Sequence, residues 1–334
     1  MKIPTRFLAI LVFFVISPFV FAVWHFFIQS PQKHVQQAEV TATAQTLREA
    51  KISWEKRIKE IGPEKASKEF VSQAPSLPLS THDQAHAFGE ALYAVEGLNG
   101  LGYCDSSFEF GCYHSFFGVA VAEEGIGVLS KFDEACKSAY PKMYMPCQHG
   151  IGHGILVYTD YENLIDALKL CETVSTLPTG GCSSGVFMEN NFHTMDTSVG
   201  TSFLRSTDND LYAPCNTLPE RFQASCYFEQ VQWWQNLFNN DFEYLGKLCV
   251  ALPANSAEYT ACYNGIGNYV AAFAAREYQG IINQCATMPD DQSVASCHEG
   301  ASWLLLSEEK TRDSAHSLCT SLKEPYQSAC LQKL

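Results

Sequence analysis

Positive charge is scarce over most of this 334-residue chain. After residue 68 there are 12 lysine and arginine residues against 31 aspartate and glutamate residues, a balance of −19, whereas the whole chain carries −14. A surface of this sign repels a phosphate backbone and attracts cations and basic partners. We therefore expect no nucleic-acid partner.

Several chemical signatures are missing as well. No two cysteines have the Cys-x-x-Cys spacing of a zinc ribbon, and no cysteine precedes Cys104. The His-Glu-x-x-His motif is absent, so the histidine pairs described below lack the glutamate base of the familiar zinc proteases. No glycine-rich phosphate loop follows a predicted strand. A protease is therefore not indicated, and whether the protein is an enzyme stays open.

An apolar run extends from Phe7 to Ile28 and is preceded by Lys2 and Arg6. As a helix it would be about 33 Å long, enough to span a bilayer core, and the positive charge before it predicts that the rest of the chain lies outside the cytoplasm. Residues 1–28 are thus interpreted as a signal anchor. A cleaved signal peptide is the alternative, because Pro18 breaks the run and Val20–Ala22 resembles a cleavage site. Both predict export, and the first predicts a membrane-anchored protein facing the periplasm or the extracellular space.

Residues 29–80 have a different composition from the rest. They contain no cysteine, are rich in Gln, Glu, Lys and Ala, and end in the Pro- and Ser-containing stretch 74–80. This pattern predicts a solvated helical stalk over about 36–60, followed by a linker near 74–80. The remaining residues, 81–334, are expected to form the main domain.

Fourteen cysteines lie in the main domain, which agrees with an oxidising compartment. From Cys136 on, the first cysteine of each neighbouring pair recurs after 35, 44, 34, 36 and 34 residues, a period typical of stacked helical hairpins. Each disulfide would close a short loop, for about 2–3 kcal/mol in the chain-entropy model. The expected disulfide pairs are Cys104 with Cys112, Cys136 with Cys147, Cys171 with Cys182, Cys215 with Cys226, Cys249 with Cys262, Cys285 with Cys297, and Cys319 with Cys330.

Glycines recur at fixed places after the second cysteine. The stretch from Cys147 to His153 matches that from Cys262 to Asn268, and Gly185 and Gly300 both stand three residues after a cysteine. Glycine costs about 1 kcal/mol inside a helix, so this recurrence predicts close contact between helices.

The period and the hairpin design resemble those of tetratricopeptide and Sel1-like repeats, particularly the cysteine-rich kind in which a disulfide joins the two helices of each unit. The usual tetratricopeptide Trp, Leu-Gly and Tyr positions are not evident. The resemblance implies an all-α fold of stacked, disulfide-stapled helical hairpins, an α-solenoid or another α/α repeat, following the N-terminal transmembrane or signal helix. An insertion of about ten residues within 191–210 breaks the period and is interpreted as a surface loop, with a lid as the alternative.

Histidines are concentrated in the first units of the repeat. His82 and His86, and likewise His149 and His153, are four residues apart and so share a helix face, while His114 and His149 both stand two residues after a cysteine. If adjacent hairpins stack in register and the helix near His82 packs beside them, three to five of these imidazoles and the carboxylate of Glu90 are expected to converge. Such a set would hold zinc, copper or iron.

Two functions remain open at this point. The first is an extracytoplasmic metal-binding protein, with a metal-dependent enzyme as its stronger form. The second is a repeat scaffold that binds another exported protein or peptide, with structural or pH-sensing histidines. His193 and Asp196 are interpreted as residues of the inserted loop, His298 and Glu299 as a helix-surface pair, and His316 as solvent-facing.

Overall fold

The structure is a computed structural model that describes residues 46–77, 80–161, 163–175, 177–195, 205, 210–307 and 309–334. These residues form α-helices joined by short turns and 3₁₀ segments, and no strand occurs among them. The helices are α1 (described over 46–61), α2 (Pro63–Gln73), α3 (Thr81–Glu96), α4 (Gly111–Glu124), α5 (Leu129–Ala139), α6 (Met145–Tyr158), α7 (Leu164–Cys171), α8 (Cys182–Met195), α9 (Glu220–Leu237), α10 (Phe242–Cys249), α11 (Ala257–Phe273), α12 (Tyr278–Cys285), α13 (Asp291–Leu306), α14 (Arg312–Thr320) and α15 (Tyr326–Leu331).

The disulfides join neighbouring helices as the cysteine spacing predicts. All seven expected pairs are bonded, and no cysteine is free. In a typical unit the first cysteine ends a short helix and the second lies near the start of a longer one, as Cys136 on α5 and Cys147 on α6 do. Both sulfurs are buried, so each disulfide belongs to the core of its hairpin. The hairpin prediction is confirmed.

The longer helices form a continuous inner row. Along the chain, α3 packs on α4, α4 on α6, α6 on α8, α8 on α9, α9 on α11 and α11 on α13. The shorter helices α5, α7, α10 and α12 each pack against the inner helix that follows them. This arrangement agrees with an α/α repeat and places side chains from successive units on one wall.

The recurrent glycines allow the inner helices to touch through their backbones. A Cβ atom on Gly185 would lie 1.9 Å from the carbonyl oxygen of His149, and one on Gly152 would lie 2.0 Å from that of Cys182. The equivalent contact recurs three units later, where a Cβ atom on Gly300 would lie 1.9 Å from the carbonyl oxygen of Asn264. The predicted close approach is confirmed, and it brings α6 directly against α8.

The inner row curves so that the segment before α4 contacts the segment after α13. The Ser106 hydroxyl, just before α4, donates a 2.6 Å hydrogen bond to the backbone carbonyl of Ser307, just after α13. A cavity of about 710 Å³ lies inside the curve, with Met145 of α6 on one side and Trp303 of α13 on the other. The row is therefore more tightly curved than the word solenoid suggests.

The segment predicted to be a solvated stalk and linker differs from the prediction over its described part. Trp54 and Ile58 of α1 are buried, as is Phe70 of α2, whose ring stacks on that of Phe88 in α3 at 4.5 Å between centroids. Trp54 contacts both phenylalanine rings edge to face. Burial of these aromatic side chains makes α1 and α2 part of the main hydrophobic core, which extends the folded unit to residue 46.

Two predicted features fall outside the described residues. The first is the apolar segment 1–28. Among the helices that the structure does describe, none is long and apolar enough to cross a bilayer. The other is most of the insertion. Residues 191–195 belong to α8, whereas the stretches 196–204, which begins with Asp196, and 206–209 are not among the described residues.

Candidate metal centre

The first two histidines lie on α3 near its start. Ser80 caps this helix by accepting a hydrogen bond from the backbone N–H of Asp83 at 3.1 Å. The imidazoles of His82 and His86 lie one turn apart, with 4.5 Å between ring centroids. His82 Nδ1 lies 2.9 Å from the carbonyl oxygen of Phe108, which can only accept, so Nδ1 carries the proton and Nε2 keeps its lone pair.

The other three histidines come from α4 and α6. His114 of α4 lies 5.5 Å from His82 and 5.7 Å from His86, measured between ring centroids. On its other side it lies 5.7 Å from His149 and stacks on His153 at 4.3 Å. Two sets of three histidines result, and in each the three ligand nitrogens lie within 4.8 Å of one another. We call His82, His86 and His114 the first triplet, and His114, His149 and His153 the second triplet.

A carboxylate on α8 orients the second triplet. His153 Nδ1 lies 2.8 Å from one oxygen of Glu189, and the Tyr161 hydroxyl donates a 2.5 Å hydrogen bond to the other oxygen. The carboxylate accepts the Nδ1 proton, which leaves the Nε2 lone pair of His153 available. A carboxylate behind a histidine in this way is the usual support of a metal-binding imidazole, since it fixes the tautomer and raises the basicity of the ring.

Two Nε2 atoms of the second triplet, which share a hydrogen bond, have nearly the spacing that an ion requires. His153 Nε2 and His149 Nε2 are 3.0 Å apart. Two nitrogens that bind one tetrahedral ion at about 2.0–2.1 Å are separated by about 3.3–3.4 Å. A displacement of a few tenths of an ångström would therefore suffice.

Burial keeps several of the imidazoles neutral. The pKa of His86 is lowered from 6.5 to about 4, first through burial and then through His82 and His153. The pKa values of His114 and His149 also fall well below the usual range, first through burial and then through the adjacent rings. Burial acts to raise the pKa of Glu189, but its interactions with His153 and the hydrogen bond from the Tyr161 hydroxyl outweigh this effect, so this pKa is lowered and the carboxylate stays ionised. Neutral imidazole is the form that binds metals.

The structure brings together the five predicted histidines but not Glu90. The carboxylate of Glu90 lies 3.1 Å from the Lys51 ammonium group on α1, and it is 36% exposed. It belongs to neither triplet. The predicted carboxylate ligand is thus replaced by a supporting carboxylate, Glu189, which the repeat pattern gave no reason to select.

Three further histidines of the described residues have other surroundings. His193 stacks on the Tyr161 ring at 3.9 Å between centroids and so stands behind Glu189, outside both triplets. His298 is buried and hydrogen-bonded to the Leu318 carbonyl, and Glu299 is buried in an ion pair with Lys333, so the surface-pair interpretation is wrong. The close packing of α13 against α14 accounts for this burial. His316 is exposed, as predicted.

A serine nucleophile has no support at the one place where its motif occurs. Gly181–Gly185 has the spacing Gly-x-Ser-x-Gly, which marks the strand-to-helix turn of α/β-hydrolases. Here the motif follows an irregular loop and enters α8, its second residue is the disulfide-bonded Cys182, and Ser183 is buried. The chemistry of the region is therefore that of the imidazoles.

Comparison with known proteins identifies no relative of this chain. The chain matches no protein-family profile, no curated protein and no solved structure. The resemblance to tetratricopeptide and Sel1-like repeats thus stays a prediction about the design of the hairpins. Seven disulfides remain typical of an oxidising, extracytoplasmic location.

Proposed function

We propose that this protein binds a transition-metal ion outside the cytoplasm through the histidines of α3, α4 and α6. The observation that carries the proposal is the meeting of five imidazoles from three helices, one of them supported by a half-buried carboxylate. The N-terminal segment would hold the protein at the membrane, facing the periplasm or the extracellular space.

The donor set selects the class of ion. Calcium and magnesium require oxygen ligands, whereas neutral imidazole suits zinc, copper and iron. The charge of the surroundings also favours a cation, because Glu189 is ionised beside three histidines whose pKa values are depressed. Three protein ligands leave a coordination position for water or substrate, as in catalytic zinc sites. A metal-dependent enzyme is thus the stronger form of the proposal.

A second candidate is a scaffold that binds an exported protein or peptide. The cavity of about 710 Å³ inside the curve favours it, because apolar side chains such as Met145, Pro178 and Trp303 line its wall. Pockets of this size accommodate small molecules or a few side chains of a partner. In that case the histidines would serve structure or pH sensing.

Elemental analysis distinguishes the two candidates. The full-length protein, purified with its disulfides oxidised, is expected to hold zinc, copper or iron in stoichiometric amount, either as isolated or after reconstitution. The double variant His149→Ala/His153→Ala should lose the metal of the second triplet while its helix content is unchanged, and His316→Ala, which alters an exposed histidine on α14, should bind as much metal as the native protein. A native protein that stays free of all three metals after reconstitution would rule out metal binding and favour the scaffold.

A further inference from the structure

The two triplets share one residue. His114 belongs to both, while His82 and His86 belong only to the first and His149 and His153 only to the second. A neutral imidazole has a single lone pair and can bind one ion. If both triplets are occupied together, each ion must therefore take a different ring nitrogen of His114.

The surroundings of His114 differ from those of an ordinary metal-binding histidine. In such a residue, the N–H of the second ring nitrogen usually donates a hydrogen bond to a carboxylate, a carbonyl or water. Within the part of the chain that the structure describes, no protein group hydrogen-bonds either ring nitrogen of His114, although the residue is buried. Both nitrogens are thus available to ligands that the protein itself does not supply.

Each triplet also has its own fixed ring. In the first triplet, the Phe108 carbonyl holds His82 through Nδ1 at 2.9 Å. In the second, Glu189 holds His153 through Nδ1 at 2.8 Å. The first triplet contains a further indication, because His86 Nε2 is buried and has no hydrogen-bond partner among the residues that the structure describes. An unpaired buried nitrogen costs free energy, and an ion in the first triplet would satisfy it.

From this arrangement we propose that the cluster binds two transition-metal ions, bridged by the imidazolate ring of His114. The inference rests on the proposed metal binding and adds its stoichiometry and its shared ligand. On loading, each ion forms a bond to one ring nitrogen, and the remaining ring proton leaves to water without any change of oxidation state. Each ion then has three nitrogen ligands and an open position, so a small molecule could bind between or beside the two ions.

Copper provides the direct test, because two copper(II) ions joined by an imidazolate couple magnetically and lose paramagnetic resonance intensity. The full-length, disulfide-oxidised protein is titrated with copper(II), bound copper is measured by elemental analysis, and the resonance signal is integrated. We expect two bound equivalents, with an integrated signal well below the copper content. Two equivalents with full intensity would overturn the shared ligand. One equivalent would overturn the inference but leave the proposed function intact, and no binding would end both.

Single variants locate the two ions. His82→Gln should lose only the ion of the first triplet and His149→Gln only that of the second, so each should bind one equivalent with full signal intensity. His316→Gln is the matched control and should bind two coupled ions. If either triplet variant still binds two coupled ions, the assignment is wrong. Far-UV circular dichroism establishes that each variant is folded, and the titration of the native protein tests the inference even if a variant is not.

Discussion

Removal of the Glu189 carboxylate is expected to weaken metal binding without removing any ligand. Glu189 accepts the Nδ1 proton of His153 at 2.8 Å, so it fixes the ring with Nε2 towards His149, and Tyr161 holds its other oxygen. Loss of a supporting group of this kind costs about 10-fold to 100-fold in metal affinity. This range corresponds to about 1.4–2.8 kcal/mol of binding free energy.

Two substitutions of Glu189 should reduce metal affinity to different extents. In Glu189→Gln the amide oxygen can still accept the His153 proton, but the charge is lost and the amide NH₂ group can face the Tyr161 hydroxyl, so we expect a loss of about 10-fold. Glu189→Ala removes the hydrogen bond altogether and should approach about 100-fold. Zinc affinity is measured by competition with a chelator of known affinity, on protein whose circular dichroism matches the native spectrum.

Glu90→Gln is the matched control for these variants. It removes a carboxylate that pairs with Lys51 and lies outside both triplets, so zinc affinity should not change. If Glu189→Ala bound zinc as tightly as the native protein, the orienting role of Glu189 would be refuted. A larger loss in Glu90→Gln than in Glu189→Gln would instead favour Glu90 as a ligand.

Three further predictions concern the metal-free protein. The pKa of His86 is lowered from 6.5 to about 4, mainly by burial, so the stability contributed by its neutral form is complete above pH 6.5. This contribution is lost as the pH falls towards 4, by up to about 3 kcal/mol. Denaturant titrations should therefore show a shallower pH dependence in His86→Gln. Gly185→Ala should lower the free energy of unfolding by about 1–3 kcal/mol or more, because its Cβ atom would lie 1.9 Å from a backbone oxygen. In Gly118→Ala the new Cβ atom would have no described atom within 4 Å, so this variant should be neutral or stabilising. An equal effect in both variants would contradict the packing argument. Replacement of Cys285 and Cys297 by alanine should cost about 2–3 kcal/mol in the same assay, and an unchanged midpoint would show that this disulfide is dispensable.

The helical hairpins could be predicted because their signals are local. The interval of ten residues between Cys136 and Cys147 is long enough for one turn between two helices, and its recurrence defines the unit. Gly185 is informative for a similar reason. Glycine is unfavourable inside a helix, so its recurrence at this place in the repeat indicates close packing against another helix. His114 and His149 followed from the same repeat, because equivalent positions in adjacent units face the same wall. The pairs His82 with His86 and His149 with His153 followed from their four-residue spacing on a helix.

The parts that the sequence did not predict depend on contacts between distant segments. Glu189 lies 36 residues after His153 and outside the repeated motif, so only the packing of α6 on α8 reveals its role. Trp54 looked like part of a charged stalk because the partner rings, Phe70 and Phe88, are remote in sequence. His298 looked exposed because the pattern could not show that α14 covers it. In each case the neighbour, not the residue, decides the burial.

X-ray absorption spectroscopy of the zinc-loaded native protein tests the central claim most directly. Coordination by the histidines of α3, α4 and α6 predicts a shell of nitrogen atoms at about 2.0–2.1 Å, with the outer-shell scattering of imidazole rings, and no sulfur at about 2.3 Å. A shell of sulfur, or one of oxygen atoms without imidazole scattering, would contradict the account.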